Sequence, residues 1–448
     1  MTTTLTQPEV HPLVSELTAL AGKSIAAGPA HLRGVRQQAL NEFTSLGFPN
    51  TRQEDWRFTN LAALTSNRFV APGAPAPVQP DQVAAFAVPG LACHTLVFID
   101  GHYAPQLSDI RKLPDGVVVT TLHEAFTKHR AIVDEHFTTI APFESSTFAA
   151  LNTAMLGDGV FIHVPRGVEV ADPIHLINIA TGRGEPAITC PRNLVIVGER
   201  ARVDLIEHYV ALEQGVYLSN AVTEIFIGDS AHAGHYFIEE ESNAAFNISS
   251  LHAKLGRATT FDSHSILLGG AIVRNNVNPI LDGDGGNCLI NGLFVGGGSQ
   301  HMDNLMRVEH LKPNCESHQY YNGILADQSH GVFSGRIYVD RVAQKTDAKQ
   351  TSANLLLSDD AQIDTKPQLE IYADDVKCTH GATIGQLDED ALFYLRSRGI
   401  APDAARAMLV FAFAAETFNR MKLEPIRQML ERKMLSRLPE GDFLATVL

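Results

Sequence analysis

LVIVGERARVDLI, residues 194–206, decides the architecture. An apolar run, Leu194–Val197, enters a four-residue turn, Gly198-Glu-Arg-Ala201, and Val203 and Leu205 then alternate with polar neighbours in the period-2 pattern of a strand. A similar turn, Gly228-Asp-Ser-Ala231, follows 30 residues later, and Gly256-Arg-Ala258 comes 28 after that. Self-similarity at such a period signals stacked repeats, and strands without helices point to a β-helix or a propeller, with a β-sandwich array as the competing arrangement. Further short β-rich runs lie at Val160–Val164, Ile174–Ile179, Glu224–Ile227, Ser265–Leu268, Gly335–Val339 and Gln368–Tyr372, separated by Gly, Asn, Asp and Ser clusters. From about Gly157 to Gly385 no long helical pattern intervenes, which excludes a doubly wound sheet, since that needs a crossover helix after each strand.

The flanks differ. Residues 1–156 mix helix-like segments with loops: His31–Phe43 is amphipathic, Ala71–Pro80 (APGAPAPVQP) reads as a surface linker, Thr95–Asp100 as a short strand, and His123–Leu156 as helical. Residues 386–448 read as a helical tail. Asp388–Arg398 carries acids in its first turn and arginines in its last, Gly399 suits a C′ position, and Pro402 suits the first turn of the next helix. Ala404–Met421 is too apolar for a lone surface helix and needs a domain face or a partner to cover it. The expected domains are therefore 1–156, 157–385 and 386–448.

Composition narrows the function. The 448 residues are 45% hydrophobic and 19% charged, enough for a sizeable core, and the net charge of −15 disfavours nucleic acid as a partner. Met1–Leu20 lacks the basic start and apolar run of a signal peptide, and no stretch reaches the ~18 apolar residues of a membrane span. Five scattered cysteines argue against a disulfide framework, so a cytoplasmic location is expected. Gly22-Lys-Ser24 ends like a phosphate-binding loop, but Leu17 stands where its first glycine belongs, so no nucleotide site is expected. Asp282-Gly-Asp284-Gly-Gly-Asn287 lacks the glycine and the final glutamate of a calcium loop and reads as a solvated turn. Cys-x-x-Cys, His-Glu-x-x-His and Gly-x-Ser-x-Gly motifs are absent from the sequence.

Histidine is unusually frequent, with 19 copies, eleven of them between His163 and His330. His301, His310 and His318, with Cys315, form the densest mixed group as candidate ligands. Cys378-Thr-His380 stands above the rest. On a strand, residues i and i+2 share a side, so the Cys378 sulfur and a His380 nitrogen can face one reactant, and thiolate with imidazole suits iron, copper or zinc. Two ligands complete no site, so the remainder must come from elsewhere, including another chain. The structural alternative is a half-buried cysteine beside a hydrogen-bonded histidine at a domain junction.

Val376–Ile400, VKCTHGATIGQLDEDALFYLRSRGI, resembles the C-terminal signature of the SufB/SufD family, the scaffold subunits of the SUF iron–sulfur cluster assembly system. Thr51–Thr59 (TRQEDWRFT) resembles the N-terminal motif of the SufD branch, and Phe148–Ala154 with Gly159–Gly167 resembles the entry to the family's core domain. The SufB branch usually carries a cysteine-rich N-terminal motif that this chain does not have. The resemblance implies a mainly β fold with helical ends, a right-handed parallel β-helix flanked by N-terminal and C-terminal helical domains. It also implies a non-enzymatic scaffold that pairs with a SufB-like subunit through the β-helix end and binds a SufC-like ABC ATPase through the C-terminal helices, the nucleotide being held there. A transient iron–sulfur cluster, or iron, would then sit at the subunit interface, with His380 as a contact and Cys378 in the companion position. A homodimer is plausible in isolation, and no membrane partner is expected. A rival reading, a β-helix enzyme acting on acidic polysaccharide, is disfavoured by the acidic charge and the missing export signal.

Overall fold

A computed structural model describes residues 11–144, 146–441 and 444–445; the first ten residues, part of the stretch read for a signal peptide, lie outside the described residues. From Arg202 onward the strands alternate between two sheets, and each pairs in parallel with the strand one coil further on. Phe246 pairs with Ile272, the shortest coil, and His330 with Gln362, the longest. About eight such coils stack into a parallel β-helix whose two long sheets face each other.

The repeated turn seen in the sequence is one corner of the coil. Its third residue is left-handed in successive coils: Arg200 (φ 56°), Ser230 (58°), Ala258 (53°), Gly285 (72°), Asn314 (58°) and Lys345 (63°). Each of these donates its backbone N–H to a carbonyl in the corner of the next coil, Arg200 to Asp229, Ser230 to Arg257 and Ala258 to Asp284, at 2.7–2.9 Å. The corners stack so closely that a Cβ at Gly283 would lie 2.1 Å from the Arg257 nitrogen, so only glycine fits there.

Between the sheets lies the main core, including Val203, Leu205, Phe237, Phe261, Ile290, Phe294 and Phe333, all buried. Fully burying each large apolar side chain contributes about 1.5–3 kcal/mol. Helices cover the outer faces. The N-terminal helices Pro12–Ala27, Arg33–Leu46 and Thr147–Met155 pack on Leu218, Phe246, Ile248 and Ile272 of the second sheet. The C-terminal helices Pro402–Phe418 and Glu424–Ser436 pack on Ile206, Tyr236, Ile238, Ile266, Leu293 and Ile324 of the first. Polar clamps fix them: Lys422 pairs with Asp262, Lys433 with Glu240, and Arg437 donates to the Leu268 carbonyl at 2.8 Å.

The motif at residues 51–59 straps the N-terminal region to the second sheet. The Arg274 guanidinium lies 3.8 Å from the centroid of the Trp56 ring, Thr59 donates to Asp303 at 2.5 Å, and Glu54 accepts from Lys366 at 2.6 Å. Three early strands extend the sheets at their N-terminal end: His94–Ile99 joins the first sheet in parallel, His102–Tyr103 runs antiparallel beside it, and Val118–Thr121 runs antiparallel to Val160–Val164. Among the described residues no helix is long and apolar enough to cross a membrane.

Candidate functional site at the open end of the β-helix

The first sheet ends at Lys377–Gly385 and the second at Gln362–Ile371, and among the described residues neither strand has a further neighbour. Each therefore presents a row of unpaired backbone N–H and C=O groups, the condition that favours addition of another chain. Cys378 pairs with Ala348 and His380 with Gln350. Ala348 and Gln350 are buried inside the coil, and register-paired residues of parallel strands share a face, so Cys378 and His380 both lie on the interior side of the last strand. The sequence expectation that they share one side is met.

Their surroundings differ. Cys378 is half-buried against Ile337, Val339, Ala343, Ala348 and Ala373. Burial, and then the Asp347 charge, pushes its thiol above the ordinary value, so a metal must displace a proton to take this sulfur. His380 is exposed because the coil stops there. Among the described residues, six large apolar side chains late in the sequence are exposed: Val342 in a turn, Ile371, Tyr372 and Ile384 on or beside the last strands, and Phe393 and Tyr394 on the helix Glu389–Ser397, with Phe393 at 73%. Sequence reasoning missed them, since Ile371, Tyr372 and Ile384 look like ordinary strand residues; only the end of the ladder leaves them uncovered.

The other histidine candidates are not brought together. His301 lies on the outer face, where its Nε2 is 2.9 Å from the Thr59 hydroxyl, and burial pushes it down to about 4. His310 is inside the coil with the Ser317 hydroxyl at 2.8 Å, His318 sits on the other sheet beside Tyr320, and the Cys315 thiol donates to the Gly283 carbonyl. Among the described residues no three His, Cys, Asp or Glu side chains converge as a metal site. The Asp282 turn is paired with Lys254 at 3.1 Å, as a solvated turn should be. Two clefts, of about 380 and 670 Å³, lie elsewhere, beside Arg183 and beside Trp56. Cys378 and His380 thus place a sulfur and an imidazole on one face of an edge strand, beside a row of backbone groups open to another chain.

Comparison with known proteins identifies the family. The family model described as SUF system FeS cluster assembly, SufBD core domain, matches residues 178–413, and that of the SufBD protein N-terminal region matches residues 21–176. The chain is 35% identical to the iron-sulfur cluster assembly protein SufD of Escherichia coli over 407 residues, covering 90% of this chain and 93% of that protein. It is 32% identical to an iron-sulfur cluster assembly SufBD family protein of Synechocystis over 429 residues (93% and 94%). With the iron-sulfur cluster assembly protein SufD of Bacillus subtilis it shares 27% identity over 421 residues (91% and 94%).

Proposed function

The chain belongs to the SufB/SufD family of the SUF iron–sulfur cluster assembly system, and from that premise we propose that it is a SufD-type scaffold subunit that shares a nascent cluster with a SufB-type partner at the open end of its β-helix. The observation that carries this reading is the placement of His380 and Cys378 on the inner side of an edge strand that also exposes Ile384. The imidazole supplies a neutral nitrogen donor, the thiol a sulfur donor once its proton leaves, and the partner the remaining ligands. Iron and sulfide are the cargo. The chain performs no bond-making of its own; it orders ligands and shields the assembling cluster from water.

The C-terminal helices are the surface for a SufC-type ATPase, which holds the nucleotide. Phe393 and Tyr394 project from Glu389–Ser397, the first of these helices, and the Lys422–Asp262 and Lys433–Glu240 pairs tie the next two to the first sheet. A displacement imposed on the helices is therefore passed to the coil, and through it to the open end. The working location is the cytoplasm.

The test is anaerobic co-purification with an N-terminal tag, away from the C-terminal helices, followed by iron and acid-labile sulfide analysis. A second SufB/SufD subunit, an ABC-type ATPase and a labile cluster should be recovered. His380→Ala should keep the fold and the partners but lower cluster content by at least the roughly 10–100-fold that losing a ligand's support costs a metal site. Wild-type cluster content in this variant would remove His380 from the site.

A further inference from the structure

One interior row of the first sheet ends at His380. His235 pairs with Ser263, Ser263 with Ile290, Ile290 with Gln319, Gln319 with Gln350, and Gln350 with His380. Neighbours in such a row stand about 4.8 Å apart on one face, which lets amide side chains bond along it. Gln319 and Gln350 are 0% and 1% exposed, and Nε2 of Gln350 donates to Oε1 of Gln319 at 2.9 Å. This bond consumes one end of the Gln350 amide. The other end, Oε1, is buried with no partner. A buried acceptor without a donor costs ~1–3 kcal/mol, and native interiors rarely keep one without a use. The opposite sheet makes room for the amide: a Cβ at Gly335 would lie 2.0 Å from Gln350 Nε2.

We propose that Gln350 is a positioning residue for His380: its carbonyl accepts one ring N–H of the imidazole, and the lone pair of the other ring nitrogen is thereby turned out of the coil toward iron. Resting on the scaffold reading above, the assignment names what fixes the tautomer and ring plane of the ligand. Metal-binding histidines almost always donate their second ring N–H to a carboxylate, a carbonyl or water. Gln350 is the residue paired with His380 across the ladder, and its free acceptor lies on the same interior face. The exposed imidazole can turn to meet it, whereas the amide is held by Gln319 behind it and by the space at Gly335 beside it.

Two measurements test this. In the first, the metal-free full-length chain is labelled with ¹⁵N-histidine, and the two ring-nitrogen shifts of His380 are read at alkaline pH, where free imidazole is neutral. One tautomer should dominate in the wild type. Gln350→Met, of similar length but with no acceptor, should lose the bias, and Gln350→Glu, which keeps an acceptor, should retain it. Gly335→Ala should disturb the tautomer ratio with Gln350 still present, because its Cβ displaces the amide. In the second, the complex with the SufB-type partner is loaded with ferrous iron and sulfide. There Gln350→Met should retain iron about 10–100-fold less tightly, with recovery in Gln350→Glu. An unchanged tautomer ratio in Gln350→Met, or iron loss that the Glu variant fails to recover, overturns the role of Gln350. If His380→Ala leaves iron binding intact, the scaffold-site reading fails instead, and the metal-free tautomer measurement still decides what Gln350 does.

Discussion

The two ends of the β-helix are made from the same repeating coil and finished in opposite ways. At the N-terminal end the chain folds His102–Tyr103 and Val118–Thr121 back as antiparallel strands, so the parallel ladders do not simply stop. Behind them the Arg192–Glu224 ion pair is fully buried, and Glu224 also accepts from the backbone N–H groups of Thr138, Ile140 and Ala141 at 3.0–3.3 Å. At the C-terminal end, among the described residues, both ladders stop without a further strand, and six of the eight exposed large apolar side chains fall between Val342 and Tyr394. A sheet edge is a liability that a chain either blunts or uses. Here one edge is closed to secure the fold, and the other is left open where Cys378 and His380 stand.

Three experiments press on this contrast. Of the two substitution tests, the larger effect is expected at the closed end. Glu224→Ala leaves the Arg192 guanidinium buried without its partner, which should cost about 3–5 kcal/mol in urea unfolding while the folded fraction still pairs with a SufB-type subunit. A loss below about 1 kcal/mol would mean that the closed end is secured by something else. At the open end the pattern should reverse. Tyr372→Asp combined with Ile384→Lys should weaken that pairing by about 2 kcal/mol, roughly 30-fold by calorimetry, and abolish self-association of the isolated chain in sedimentation, with Tm little changed. Unaltered pairing would move the interface away from these strands.

A third effect, in pH dependence, lies between the two ends. Burial raises Glu239 to about 7 and Glu241 to about 8, the latter also repelled by Glu239. Acids raised in this way hold protons in the folded state that the unfolded chain has released. Their contribution to stability is complete below about pH 4.5 and is lost as pH rises toward 8, with a slope of up to about 1.4 kcal/mol per pH unit for each proton held. Denaturant midpoints taken from pH 5 to pH 9 should fall with rising pH, and Glu241→Gln should flatten the curve. A flat wild-type profile would show that these carboxyls are ionised throughout.

The turns were legible in the sequence because geometry demands unusual residues there: glycines where corners touch, and a left-handed residue two positions on, as at Gly228 and Ser230. The helical tail was legible through its caps, with Asp388 accepting from Asp390 and Ala391 and Gly399 at φ 84°. Many strands were not. Asp347–Leu356 (DAKQTSANLL) buries Gln350, Ser352 and Asn354 inside the coil, so its inward face carries amides and hydroxyls in place of the apolar alternation that betrays a strand. For that reason the choice of a β-helix over a sandwich rested on family resemblance. Cys378 and His380 were legible as a pair because strand periodicity alone places i and i+2 together. The His301, His310 and His318 group failed for the same cause: nine residues apart on one strand, His301 and His310 face opposite sides, and His318 belongs to the other sheet. The exposure of Ile371, Tyr372 and Ile384 was illegible because it depends on where the coils stop, which no local pattern records.

The strap formed by residues 51–59 has a consequence in time. Glu54 meets Lys366, 312 positions later, and Thr59 meets Asp303. At ribosomal rates of roughly 5–20 residues per second, Glu54 waits on the order of 15–60 s for its partner to be made. The helices near the N-terminus and the early coils can form meanwhile, since each coil needs only its neighbour. The strap is thus among the last contacts to close, and it closes over coils already stacked, since the Trp56 ring needs the Arg274 guanidinium and Glu54 needs Lys366 in place.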